Sequence, residues 1–147
     1  MAEEIVEVLL IEDSPDDAAF FKHAFQKTGI LARLHVAMDA TEAIEFTSAT
    51  GRFAGHSFVR HLKVIFLDLK LPQTDGLQIL KVLKTDPRLW NIPIVVLTSS
   101  QEERDLVDSY KLGANSYVVK PMEFDIYSET VRALIHYWLQ INQTPKS

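Results

Sequence analysis

Cysteine is absent from all 147 residues. That excludes disulfides, thiolate nucleophiles and cysteine metal sites at once. An excess of basic charge is missing too, with 15 Lys and Arg against 20 Asp and Glu and a formal net charge of -5. A nucleic-acid surface needs clustered Lys and Arg, so direct binding of DNA or RNA is not expected. No apolar run is long enough to span a bilayer, and the opening Met-Ala-Glu-Glu lacks the basic and apolar regions of a signal peptide. The chain therefore reads as cytoplasmic, with no membrane contact. It has no repeat, linker or low-complexity stretch, and its length suits one domain with a real core.

What is present is a set of short apolar segments, each followed by a helical pattern. Val6 to Ile11 is broken only by Glu7 and reads as a buried strand ending in Glu12-Asp13. Ser14-Pro15-Asp16-Asp17 then supplies a capping Ser, a first-turn proline and acids facing the helix dipole. Phe21, Ala24 and Phe25 give that helix a buried stripe, and Gly29 ends it. Arg33 to Val36 alternates as an edge strand would, and Asp39-Ala40-Thr41-Glu42 opens a second helix running to Gly51. Residues 51–62 carry glycines, histidines and basic side chains and read as a surface loop.

Val64-Ile65-Phe66-Leu67 is apolar without interruption, as in a strand buried on both faces, and emerges at Asp68 ahead of Pro72 and Asp75-Gly76. A helix over Gly76 to Thr85 stops at Asp86-Pro87. A fourth strand, Ile92 to Leu97, runs into Thr98-Ser99-Ser100, and Ser100 with Glu103 predicts the cap of a helix reaching Gly113. Ser116 to Val119 is a fifth strand, ending in Lys120-Pro121, and the last helix is expected over Asp125 to Asn142. The pattern is (βα)5, and right-handed crossovers make it an α/β fold with a doubly wound, five-stranded parallel sheet.

Parallel strands bring their carboxyl ends to one edge of the sheet, where ligands gather. Glu12, Asp13, Asp68, Thr98 and Lys120 all fall there. Alone, Asp68 is as readily a turn residue, Thr98 a strand-end hydroxyl and Lys120 a solvated charge. Together, converging carboxylates call for a divalent cation and a fixed ammonium. An all-oxygen donor set favours Mg²⁺ or Mn²⁺ over zinc. The five histidines show no ligand spacing.

In this order and on these strands, Glu12-Asp13, Asp68 in Leu-Asp-Leu-Lys-Leu-Pro, Asp75-Gly76, Thr98-Ser99 and Lys120-Pro121 resemble the CheY-like receiver domain of two-component response regulators. The resemblance spans residues 5–142. It implies a flavodoxin-like strand order 2-1-3-4-5 and a single receiver domain over 1–147 with no output domain. It also implies that a histidine kinase phosphorylates Asp68. Mg²⁺, or Mn²⁺, would be bound by Glu12, Asp13, Asp68 and the backbone carbonyl of Lys70. Lys120 would pair with the phosphoryl oxygens, Thr98 and Tyr117 would act as the switch, and the Lys120-Pro121 bond would be cis. Such a protein assists its own phosphorylation and dephosphorylation and is not a turnover enzyme. Glu12 and Ser99 depart from the family's commoner Asp and Ala, while Lys70 and Ser100 take the positions that face the phosphoryl group. A haloacid-type phosphatase would need an acid at Lys70.

A narrower resemblance, to single-domain receivers that partner bacterial phytochromes, rests on the 51–62 loop, Asn91 to Ser100 and Tyr137-Trp138-Leu139. It implies a phytochrome kinase as input and a downstream protein as output. The same site would serve a phosphorelay intermediate that feeds a histidine phosphotransfer protein. An unphosphorylated pseudo-receiver scaffold is the third alternative. Apolar residues surround the last helix, and Phe124, Tyr127 and Trp138 mark an expected isologous homodimer face beside the fourth helix and fifth strand.

Overall fold

The computed structural model describes residues 5–145, and they form one five-stranded parallel sheet in the order β2-β1-β3-β4-β5. The strands are β1 (Val6–Ile11), β2 (Ala32–Ala37), β3 (Leu62–Leu67), β4 (Ile94–Thr98) and β5 (Ser116–Val119). They alternate with α1 (Pro15–Lys27), α2 (Ala40–Ser48), α3 (Gly76–Thr85), α4 (Glu103–Lys111) and α5 (Phe124–His136). The fold class is the one the strand and helix pattern predicts, and the strand order the one the receiver resemblance implies.

Side-chain alternation explains why the central strands are almost wholly apolar, the exceptions being Glu7 in β1, Lys63 in β3 and Thr98 at the end of β4. Val8, Leu10, Val64, Phe66, Val95 and Leu97 point to the face covered by α1 and α5. Their neighbours Leu9, Ile11, Ile65, Leu67, Ile94 and Val96 point to the face covered by α2 and α3. A strand buried on both sides has no solvent face, so period-2 polarity disappears. Each such side chain contributes about 1.5–3 kcal/mol by leaving water. Edge strand β2 keeps a partly exposed surface.

The helix starts behave as capping chemistry predicts. Ser14 Oγ accepts the Asp17 amide at 3.2 Å with Pro15 in the first turn, and Asp39 Oδ1 accepts the Glu42 amide at 2.8 Å. Helix α2 is shorter than expected, ending at Ser48 because Ala49 turns left-handed at φ 56°. Helix α4 starts at Glu103 with Glu102 as its cap residue, so Ser100 is not the cap. Helix α5 ends at His136 and passes into a π-helical turn, Tyr137–Ile141. Beyond it, the tail crosses to the start of β4, where Asn91 Nδ2 donates to the Pro145 carbonyl at 2.8 Å.

Three expectations are corrected. The segment 51–62 is not a plain surface loop: it folds as two 3-10 turns, Gly51–Phe53 and Val59–His61. Phe53 and Phe58 cap the core there, with Phe58 stacked on Phe46 at 5.1 Å and only 6° off parallel. Tyr127 and Trp138 do not form an exposed face. Tyr127, Val131, Ile135 and Trp138 recur every three or four residues, and that stripe turns into the core. Of the three proposed face residues only Phe124 is exposed, its ring edge-on to Phe20 at 4.8 Å. Finally, among the described residues no peptide bond is cis, so Lys120-Pro121 is trans. The trans form is the intrinsically preferred one even before proline, and Lys120 makes its backbone and ammonium contacts from it.

Candidate functional site

The ladder of backbone hydrogen bonds continues one residue past the strands and fixes the polar residues at their ends. The Glu12 amide donates to the Ala37 carbonyl at 2.9 Å, and the Asp68 amide to the Ile11 carbonyl at 3.0 Å. On the other side of the sheet the Lys120 amide donates to the Thr98 carbonyl at 2.8 Å. Glu12, Asp68 and Thr98 are buried, and Asp13 is partly so. Carboxylate oxygens of Glu12, Asp13 and Asp68 lie within 4.8 Å of one another. Three hard oxygen donors this close fit a divalent cation of the Mg²⁺ or Mn²⁺ class.

Lys120 is the counter-charge. Its ammonium donates to Asp68 Oδ2 at 3.0 Å, to Asp17 Oδ2 at 2.9 Å and to Glu12 Oε1. An ammonium has three donors, and all three are used. Asp68 Oδ1 takes the Lys70 amide at 3.1 Å, so each oxygen of that carboxylate is held by a different donor.

Electrostatics follow from burial. Glu12 is pushed up to about 7, mainly because burial disfavours its charge, with Lys120 opposing the rise and the Asp68 charge adding to it. Burial pulls the Lys120 ammonium down, but its bonds to Glu12 and Asp17 and the charge of Asp68 outweigh that. It is held above the usual lysine range. The Tyr117 phenol is raised by burial, and its hydroxyl donates to the Ser100 carbonyl at 3.0 Å.

The loop after Asp68 returns through Gln73 in the left-handed region, at φ 64°, and Lys70 bridges to Asp75. Gly76 then packs against the loop's own start. A Cβ there would sit 2.7 Å from the Asp68 carbonyl oxygen and 2.8 Å from that of Leu69, so no larger residue fits without moving backbone.

The response regulator receiver domain profile matches residues 8–132. The chain belongs to the response regulator receiver family. As a receiver it is 35% identical over 144 residues to a probable methanogenesis regulatory protein, FilR2, of Methanothrix harundinacea, covering 98% of this chain and 90% of that one. It is 31% identical over 138 residues to response regulator Rcp1 of Synechocystis, covering 94% and 92%. The structure of the Mn²⁺-bound form of Rcp1 matches with a TM-score of 0.87 over 95% of this chain and 99% of that one. The phosphorylated cyanobacterial phytochrome response regulator RcpA, 30% identical, matches at 0.89 over 97% and 99%.

The structure brings together the residues that the sequence singled out at the strand ends. Glu12, Asp13, Asp68 and Lys120 meet in one pocket, and Thr98 closes the end of β4 beside it. Tyr117 lies one layer away and touches the site through Ser100. Two residues were missed. Asp17 was read only as an acid facing the dipole, yet it binds Lys120. Its position in the first turn of α1, directly after Glu12-Asp13, is the signal that could have found it. Asp105 was not singled out, and it accepts the buried Ser100 hydroxyl at 2.5 Å. Among the described residues no helix is long and apolar enough to cross a membrane.

Proposed function

We propose that this receiver takes a phosphoryl group from the phosphohistidine of a histidine kinase onto Asp68. The observation that carries the reading is the double hold on Asp68, with the Lys120 ammonium on Oδ2 and the Lys70 amide on Oδ1. A carboxylate oxygen attacks phosphorus, the P–N bond breaks and its electron pair returns to the imidazole. Phosphoryl transfer is mostly positioning and charge neutralisation, and a nucleophile held this way needs no general base. Lys120 stabilises the phosphoryl oxygens, and the buried Thr98 hydroxyl supplies a further donor. Glu12, Asp13 and Asp68 would hold Mg²⁺, with the Lys70 carbonyl as a fourth protein ligand. The ion supplies charge neutralisation during transfer. The Mn²⁺-bound form of Rcp1 supports that assignment.

The protein acts in the cytoplasm as a phosphoacceptor that signals through altered protein contacts. Its input is a phytochrome-type kinase, supported by the likeness to RcpA, a phytochrome response regulator. A homodimer near α4, β5 and α5 completes the reading. Val107, Tyr110, Val119, Phe124 and Ile126 are exposed apolar side chains on those elements that favour it.

Incubation with Mg²⁺ and acetyl phosphate, followed by intact mass, tests the acceptor. Wild type gains one phosphoryl group and Asp68→Asn gains none. An adduct that persists in Asp68→Asn overturns the assignment. Sedimentation with and without the donor tests the dimer, and a monomer at every concentration in both states removes it.

A further inference from the structure

We infer that Asp105 is a positioning residue: through the Ser100 hydroxyl it ties α4 to the segment that both Thr98 and Tyr117 contact. It rests on the reading of Asp68 as phosphoacceptor only for its consequence, the transmission of that event to α4. Ser100 is buried, and every polar group it owns is engaged. Its amide donates to Thr98 Oγ1 at 3.4 Å, and its carbonyl accepts the Tyr117 hydroxyl at 3.0 Å. Its hydroxyl accepts the Glu102 amide at 3.3 Å and donates to Asp105 Oδ2 at 2.5 Å. One residue thus joins β4, β5 and the first turn of α4.

The geometry is a capping box with a hydroxyl inserted. In the usual form, the carboxylate three residues into a helix reaches back to the cap residue's own amide. Here Asp105 stands at that third position, and the Glu102 amide meets Ser100 Oγ instead. The end of α4 and the placement of Ser100 are therefore one structure. Glu102 makes no side-chain cap bond of its own.

Little else secures this helix. The one buried residue of α4 is Ser109, whose hydroxyl has no hydrogen-bond partner among the described residues. Leu106 is only partly covered, and Val107 and Tyr110 are exposed. By contrast α5 buries Tyr127, Val131 and Ile135. A helix that buries no apolar stripe gains little from core packing, so the chemistry of its first turn counts for more. A phosphoryl group brings about two negative charges to the end of β3. If the Thr98 hydroxyl turns to it, the Ser100 amide is released. Asp105 then carries that change into α4.

Amide hydrogen exchange tests this, first without any phosphodonor and then with Mg²⁺ and acetyl phosphate. Without donor, Asp105→Ala and Ser100→Ala should each speed exchange across 103–108 by about tenfold, the worth of one charge-assisted hydrogen bond. The double variant should be no faster than Ser100→Ala, which by itself removes both the Asp105 bond and the acceptor of the Glu102 amide. Asp105→Asn keeps an oxygen acceptor without the charge and should fall between wild type and Asp105→Ala. With donor, wild type should change its α4 protection, while Asp105→Ala takes up the phosphoryl group and leaves α4 unchanged. Unaltered exchange in Asp105→Ala, additive single effects, or Asp105→Asn behaving as Asp105→Ala would each overturn the assignment. So would an α4 response in phosphorylated Asp105→Ala equal to that of wild type. Absence of any adduct in wild type sinks the acceptor reading instead, and the donor-free comparison still decides Asp105.

Discussion

Lys120 Nζ and Asp68 Oδ2 lie 3.0 Å apart although their strands are not neighbours, since β4 runs between β3 and β5. The contact spans the end of β4, where Thr98 is completely buried. Any group added to Asp68 is therefore met at once by an ammonium from one side and a hydroxyl-bearing strand end beneath it. Among the described residues Lys120 is the one cation paired with Glu12 and Asp68, so replacing it by Met leaves two buried carboxylates uncompensated. Breaking a buried pair by removing one partner costs about 3–5 kcal/mol, less whatever protonation of the acids recovers. Urea unfolding of Lys120→Met should show a loss of this order at pH 8 and a smaller one at pH 5.5.

Glu12 makes stability depend on pH. Its carboxyl lies at about 7 in the folded chain against an ordinary value of 4.5. The folded state thus binds the proton more tightly, so this contribution is complete below about 4.5 and is lost as pH rises through 7. At 1.36 kcal/mol per unit the swing is about 3 kcal/mol at most. Urea midpoints from pH 4.5 to 8 should fall accordingly without metal, and Glu12→Gln should flatten the trend.

Metal binding should show the opposite slope. A divalent cation competes with the proton on Glu12, so affinity for Mg²⁺ rises as pH increases through 7. Calorimetric titration at pH 6 and pH 8 checks the sign. An Asp13→Asn variant should bind Mg²⁺ more weakly at both values while keeping its fold.

Asp17 holds Lys120 but is not among the clustered metal donors. Its side chain is 39% exposed, which screens the pair. Asp17→Ala should cost about 1 kcal/mol in urea unfolding, with Mg²⁺ affinity close to that of wild type. A severe loss of metal binding would mean that Asp17 is itself a ligand.

Phe58 tests the corrected reading of 51–62. It stacks on fully buried Phe46 and meets His35 at 4.6 Å, so Phe58→Ala should destabilise by about 2–3 kcal/mol. Phe20 is exposed apart from its edge contact with Phe124, and Phe20→Ala should cost under about 1 kcal/mol. Equal effects would contradict the packing of Phe58 against the core.

The strand ends were legible because burial on both faces keeps β1, β3 and β4 largely apolar, with Glu7 and Lys63 confined to the strand starts, so the next acid or hydroxyl marks where each strand emerges. Asp17 was harder to read. Its contact with Lys120 joins residues 103 positions apart, and local capping already accounts for an acid in the first turn of α1. Tyr127, Val131, Ile135 and Trp138 did carry their own signal, a single stripe of helical period, obscured by the exposed Phe124 and Tyr137 around it. Phe53 and Phe58, five apart in a segment with no period, carried none. Ser100 was identified as polar capping material, but its acceptor is Asp105 rather than Glu103, because α4 begins later than the motif suggested.

The path of the tail has a practical consequence. After the π-helical turn the chain returns to Asn91, just ahead of β4, whereas the acidic pocket lies beyond the opposite ends of the strands. A strand of five residues is about 17 Å long. A fluorophore or affinity handle attached at Pro145 would sit at the end of the sheet opposite Asp68 and the acidic pocket. Immobilised by that handle, the protein presents its acidic pocket outward.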